Sequence, residues 1–149
     1  ETCTETCPRA GTISFNIKQM NHGLVAAILN DYYNIAVRNE CFCAHPYVEK
    51  MLHLTHEEEI NQLECIDNHL TWTVEPWMGM VRASIGIYNT KEDIDYLIEG
   101  LDEIIANKKE FSKNYILNSD GDYQHKEFYF SSKDFFSLTG TIDSDITSK

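Results

Sequence analysis

Between Met80 and Ile105 the period of the apolar residues changes, and that change constrains the fold more than any other feature of the chain. In "MVRASIGI", Val81, Ala83, Ile85 and Ile87 alternate with Arg82, Ser84 and Gly86, the pattern of a strand with one buried face. Arg82 and Ser84 consequently point to the opposite face. From Thr90 onward Ile94, Leu97, Ile98, Leu101, Ile104 and Ile105 recur every three or four residues, and "TKED" opens the run as a capping box with acidic residues in the first turn. A strand that turns at once into a long one-faced helix must lay that helix back on its own sheet.

The same grammar occurs upstream. "TISFNI" alternates Ile13, Phe15 and Ile17 with polar residues, and after a capping Asn21 the residues Leu24, Val25, Ile28, Leu29 and Tyr32 mark an amphipathic helix. "IAVR" then reads as a second short strand ending at Arg38. Thr55 and Glu58 form a further capping box, followed by the stripe Ile60, Leu63, Ile66 and Leu70, and "TWTVEPW" reads as a brief extended segment. The order is strand, helix, strand, loop, helix, strand, helix, which predicts a two-layer α+β domain with helices on one face of a small sheet. A chain of 149 residues suits one such core.

After Phe111 helical periodicity is lost, but Phe128, Tyr129, Phe130, Phe135 and Phe136 follow in quick succession. Aromatics at that density bury themselves, so residues 111–138 are expected to dock on the domain or on a partner. Residues 139–149, polar and rich in Ser, Thr and Asp, read as a disordered tail.

A net charge of -12 repels phosphate backbones and argues against a nucleic-acid partner. The longest apolar stretch, "GLVAAIL", falls far short of the ~20 residues of a bilayer span, so no membrane partner is expected. Five cysteines are an odd number in a chain that needs no staples, which favours reduced thiols and a cytoplasmic location. The chain opens at Glu1 and runs quickly into a strand, which suggests a piece excised from something longer.

The chemistry concentrates in "RNECFCAHP", Arg38 to Pro46. Zinc would require four ligands, and a set of Cys3, Cys7, Cys41 and Cys43 has knuckle spacing only at Cys3 and Cys7. A disulfide between Cys41 and Cys43 would close a strained ring. Cys65 suits a buried helical position. Cys43 lies in a loop near Arg38 and His45, where cationic neighbours favour thiolate, so an ordinary loop cysteine and a reactive one both remain open. Arg82, on the polar side of a central strand, needs a carboxylate or phosphate partner, which either a salt bridge or a ligand would supply. The six histidines show no metal spacing, and there is no glycine-rich phosphate loop.

Taken together, "RNECFCAHP" and "VRASIGIYNTKEDIDYLIEGLDEI" resemble the C-terminal small domain of class V aminotransferase-like enzymes. The likeness is to the cysteine desulfurases and selenocysteine lyases, whose catalytic loop reads R-x-G-x-x-C-A-x-P. "GTISFNI" fits the strand that begins that domain. The resemblance implies a small domain of pyridoxal phosphate (PLP) fold type I over residues 9–110, with a short, mainly antiparallel sheet.

It further implies Cys43 as the catalytic nucleophile, and Arg82 with Arg38 as substrate-binding residues, Arg82 taking the α-carboxylate. The substrate would be cysteine or selenocysteine, with a sulfur-acceptor protein downstream and a homodimeric parent. PLP would be the cofactor of the parent. Its Schiff-base lysine is expected in a large domain preceding Glu1, so the isolated fragment is expected to hold no cofactor and to be inactive. His125-Lys126 lies on the wrong side of the small domain for that lysine. Glu40 stands where the motif has Gly, and Cys41-Phe42 where desulfurases commonly have two histidines. Two other readings stay open: a PLP transaminase or lyase sharing this domain, and a non-catalytic interaction or zinc-binding module.

Overall fold

The computed structural model of the chain describes residues 11–67 and 78–128. Strand β1 (Thr12–Phe15) pairs antiparallel with β2 (Val81–Ser84), in a register running from Thr12↔Ser84 to Phe15↔Val81. Between them come helices α1 (His22–Tyr33), α2 (His45–Leu52) and α3 (His56–Asp67); α4 (Lys91–Ala106) and α5 (Lys108–Lys113) follow β2. A second antiparallel pair, β3 (Tyr115–Leu117) and β4 (Tyr123–His125), closes the described chain. The architecture is the small α+β domain that the periodicity predicts. None of the described helices is long and apolar enough to cross a membrane.

Helix α1 begins where Asn21, in extended conformation, accepts a hydrogen bond from the Gly23 amide on its side chain. It ends at Asn34, a left-handed residue whose amide donates to Asn30 and Leu29. Its face of Leu24, Val25, Ile28 and Leu29 is buried against Val81 of β2 and Ile104 of α4, with Ile17, Met20, Phe111 and Tyr115 completing one core. Each such aliphatic contributes about 1.5–3 kcal/mol by leaving water.

The reciprocal box at Thr90 and Asp93 starts α4, and the one at Thr55 and Glu58 starts α3. Each holds its carboxyl below the ordinary range by hydrogen bonds from the capping residue.

Four details depart from the periodicity. "IAVR" makes no strand: only Arg38 bridges to Arg82, because the chain turns away into the cysteine loop immediately afterwards. Helix α2 occupies what reads as loop, with Pro46 in its first turn, where a missing amide costs nothing. The alternation of β2 stops at Ser84, and Ile87 is fully exposed. On α4, Ile104 is buried while Ile98 and Ile105 are half exposed, so its buried stripe is narrower than the sequence stripe.

The hairpin docks on α1. Tyr115 donates its hydroxyl to Asp31 Oδ2 at 2.9 Å, Asn114 Nδ2 donates to the Tyr32 hydroxyl at 3.0 Å, and that hydroxyl meets His125 Nε2 at 2.9 Å. Its turn is built on Asn118, whose side-chain oxygen accepts from the amides of Asp120 and Asp122, with Gly121 at positive φ. Tyr129, Phe130, Phe135, Phe136 and "TWTVEPW" lie outside the described residues.

Candidate active site

The segment from Arg38 to Ala44 is fastened at its start and strained in its middle. Arg38 and Arg82 exchange backbone hydrogen bonds of 3.1 and 2.7 Å, and the Met80 amide donates to the Glu40 carbonyl at 3.0 Å. The chain then passes through positive φ at Glu40 (75°), Phe42 (53°) and Cys43 (61°) before the Ala44 amide returns to the Cys41 carbonyl at 2.7 Å. Left-handed backbone costs a non-glycine residue about 1–2 kcal/mol. The position of Glu40 is where the resembling motif carries Gly, and the geometry supplies the reason. Replacing Glu40 by Gly relieves that strain against a larger unfolded-state entropy, so Glu40→Gly should raise stability by about 0.5–1 kcal/mol in urea unfolding.

The loop sends its two thiols in opposite directions. Cys41 is buried with Val48 and Met80, its Sγ 3.8 Å from the Met78 carbonyl, and burial, reinforced by Glu40 and Glu49, pushes its pKa up to about 11. It is an inert thiol. Cys43 is exposed, two residues ahead of α2. Among the described residues no group of His, Cys, Asp and Glu could hold a metal ion; Cys3 and Cys7 lie outside them.

Cys43 opens onto a cleft of about 740 Å³ between one face of α1, the cysteine loop and the hairpin turn. Arg38, Glu40, His45 and Met78 line it from one side, Asn21, His22, Asn30 and Asp31 from α1, and Asp120 and Asp122 from the turn. Cys43 and Arg38 thus share one cavity. Arg82 does not line it; its guanidinium lies over the ring of Phe42, with Cζ 5.0 Å from the centroid, and its Nε is buried with no hydrogen-bond partner among the described residues. Among the described residues no lysine lines the cleft. Lys126 is exposed and bonded to the Lys113 carbonyl.

Of the cleft residues that the sequence reading passes over, His22 has the most perturbed environment. His22, at the start of α1, packs against Gly79 and sits near Asn39 Nδ2 at 3.5 Å. Burial lowers its pKa to about 4, partly offset by a hydrogen bond to the Met78 backbone. The signal available was a histidine directly after a capping Asn, which by itself says nothing of burial. The free imidazole titrates near 6.5, so the unfolded chain takes up a proton first as pH falls. Stability should therefore be unaffected by His22 above pH 6.5, fall by up to about 3 kcal/mol between pH 6.5 and 4, and level off below. Urea midpoints across that window, compared with His22→Gln, check the slope.

The model of the family "Aminotransferase class-V" matches residues 1–97. Among curated proteins, the chain is 27% identical over 108 residues to a molybdenum cofactor sulfurase 2 of Culex quinquefasciatus, covering 67% of this chain and 14% of that protein. It is 25% identical over 118 residues to a molybdenum cofactor sulfurase of Bombyx mori, covering 74% and 14%. It is 32% identical over 96 residues to a cysteine desulfurase of Yersinia pestis, covering 64% and 18%. The chain thus spans less than a fifth of the length of these relatives. Since the family model covers well over half of the chain, and the matched span includes both Cys43 and Arg82, the chain belongs to the class-V aminotransferase family.

Proposed function

We propose that this chain is the C-terminal domain of a PLP-dependent cysteine desulfurase, in which Cys43 accepts sulfur and Arg82, aided by Arg38, holds the substrate carboxylate. The observation that carries this reading is the exposed Cys43 on a fastened, strained loop that opens into the same cleft as Arg38. Sulfur transfer needs a soft nucleophile that is reachable and held, and Cys43 meets both conditions whereas Cys41 is held but not reachable. Carboxylate recognition needs a planar, permanently charged donor. The buried Nε of Arg82 is a donor lacking an acceptor, which a ligand oxygen would supply.

PLP, when bound, supplies the electron sink that weakens the substrate's bond to sulfur. The described residues do not fit it on their own, since the cleft has no lysine amine to anchor it. Its anchor would be a lysine outside this chain, which as an isolated piece would then be inactive. At Cys43, the thiolate forms a bond to the substrate sulfur as the carbon–sulfur bond breaks. The electron pair stays with the carbon, which takes up a proton, and the products are alanine and a persulfide.

The protein in its full natural length, loaded with PLP and given L-cysteine, tests the proposal. Alanine release, with one added sulfur on the peptide containing Cys43, supports it. A keto acid without added sulfur supports a transaminase sharing this domain, and a full-length protein that binds no PLP ends the reading.

A further inference from the structure

The ring between the two assigned residues has no role yet. Phe42 precedes Cys43 in the chain and lies against the guanidinium of Arg82, so it touches one functional group in space and adjoins the other through a single peptide bond. Its other neighbours are the small apolar cluster of Cys41, Val48 and Met80. Both partners are held from behind. The Arg82 backbone is paired with Ser14 on one side and Arg38 on the other, and the Glu40 carbonyl is tied to the Met80 amide. Phe42 and Cys43 themselves follow at positive φ, a conformation that persists only where surrounding contacts impose it.

Resting on the desulfurase reading, we propose that Phe42 is a positioning residue that couples carboxylate recognition at Arg82 to the placement of Cys43. The physical link is the electrostatic attraction between a guanidinium and an aromatic face, which falls when a carboxylate neutralises the cation. An anion pairing with the buried Nε would also weaken the hold of the guanidinium on the Phe42 ring beside it, freeing that ring to shift. A displaced Phe42 loses one of the contacts that impose its backbone conformation, and the next residue is the nucleophile. By linkage, whatever binds Arg82 alters Cys43, and whatever fixes Phe42 alters binding at Arg82.

The test needs no turnover. In the full-length protein loaded with PLP, the alkylation rate of Cys43 by iodoacetamide is followed by peptide mass spectrometry, with propionate or with chloride at equal ionic strength. Propionate offers a carboxylate without an amine. It should change the rate about two- to tenfold in the natural protein. The response should survive in Phe42→Tyr, which keeps the aromatic face, and vanish in Phe42→Leu, which keeps the apolar bulk, and in Arg82→Gln.

A natural protein indifferent to propionate overturns the coupling, as does an undiminished response in Phe42→Leu. If L-cysteine leaves no sulfur on Cys43, the desulfurase reading fails, while the propionate response still decides whether Phe42 links the two sites.

Discussion

Replacing Gly79 by alanine is expected to destabilise the domain by about 3–5 kcal/mol, a large share of the 5–15 kcal/mol that holds a domain folded. Two costs add. The φ of +154° at Gly79 lies in a region that side-chain-bearing residues rarely adopt. A Cβ there would also stand 2.5 Å from His22 Nε2 and 2.9 Å from the Cα of Glu40. The imidazole is confined at the start of α1, and the Glu40 contact is backbone, which no rotamer change relieves.

Gly100 offers the contrast. It is helical, and the three atoms nearest its added Cβ would all belong to the Tyr33 ring, the closest at 3.1 Å. Gly100→Ala should therefore fall within about 1 kcal/mol of the natural protein, the helix propensity gained offsetting a slight ring shift. Urea unfolding of both variants measures the difference, and equal midpoints would refute the close packing at Gly79. Because that packing also seats Glu40, Gly79→Ala should loosen the cysteine loop and speed alkylation of Cys41.

The second large effect is kinetic. In the full-length protein with PLP, Cys43→Ala should lower persulfide formation and sulfide release from L-cysteine at least about a thousandfold, since no other reachable thiol lines the cleft among the described residues. Folding stability should change little, because Cys43 is exposed and alanine meets the same left-handed backbone. The Cys41→Ala variant should retain most of the activity: its thiol is buried, bonded to a carbonyl and held protonated at neutral pH. Equal losses in the two variants would show that loop packing is being measured instead of chemistry. Sulfide release undiminished in Cys43→Ala would remove that residue from the mechanism and leave the family membership intact.

What could be read from the chain alone divides by range. Asn21, Thr55 and Thr90 announce their helices because each cap closes on an amide two or three residues away. Helix α2 was hidden by the opposite meaning of one residue: Pro46 reads as a breaker, yet in the first turn it starts a helix. Val37 and its neighbours have the composition of a strand, and nothing local says that the available edge offers a single bridge, at Arg82.

The same division holds at the site. Motif spacing singles out Cys43, Arg38 and Arg82 as the candidates on which the proposed function rests. The burial of His22 beneath Gly79, the stacking of Phe42 on Arg82 and the orphaned Nε depend on segments distant in sequence, and periodicity does not carry such information. Glu40 is intermediate. Its departure from the motif is visible in the letters, but its meaning appears only with the backbone angle.

The hairpin gives the family boundary a different standing. The match to the family model ends at residue 97, in the middle of α4, yet Ile104, Phe111 and Tyr115 lie beyond it and belong to the same core as Leu24 and Val81. A chain trimmed to the matched segment would keep the cysteine loop and lose the ballast that lets its parts melt together. The extent of a family model and the extent of a cooperative core are different borders here, and cutting at the first would part the cysteine loop from residues that pack the core behind it.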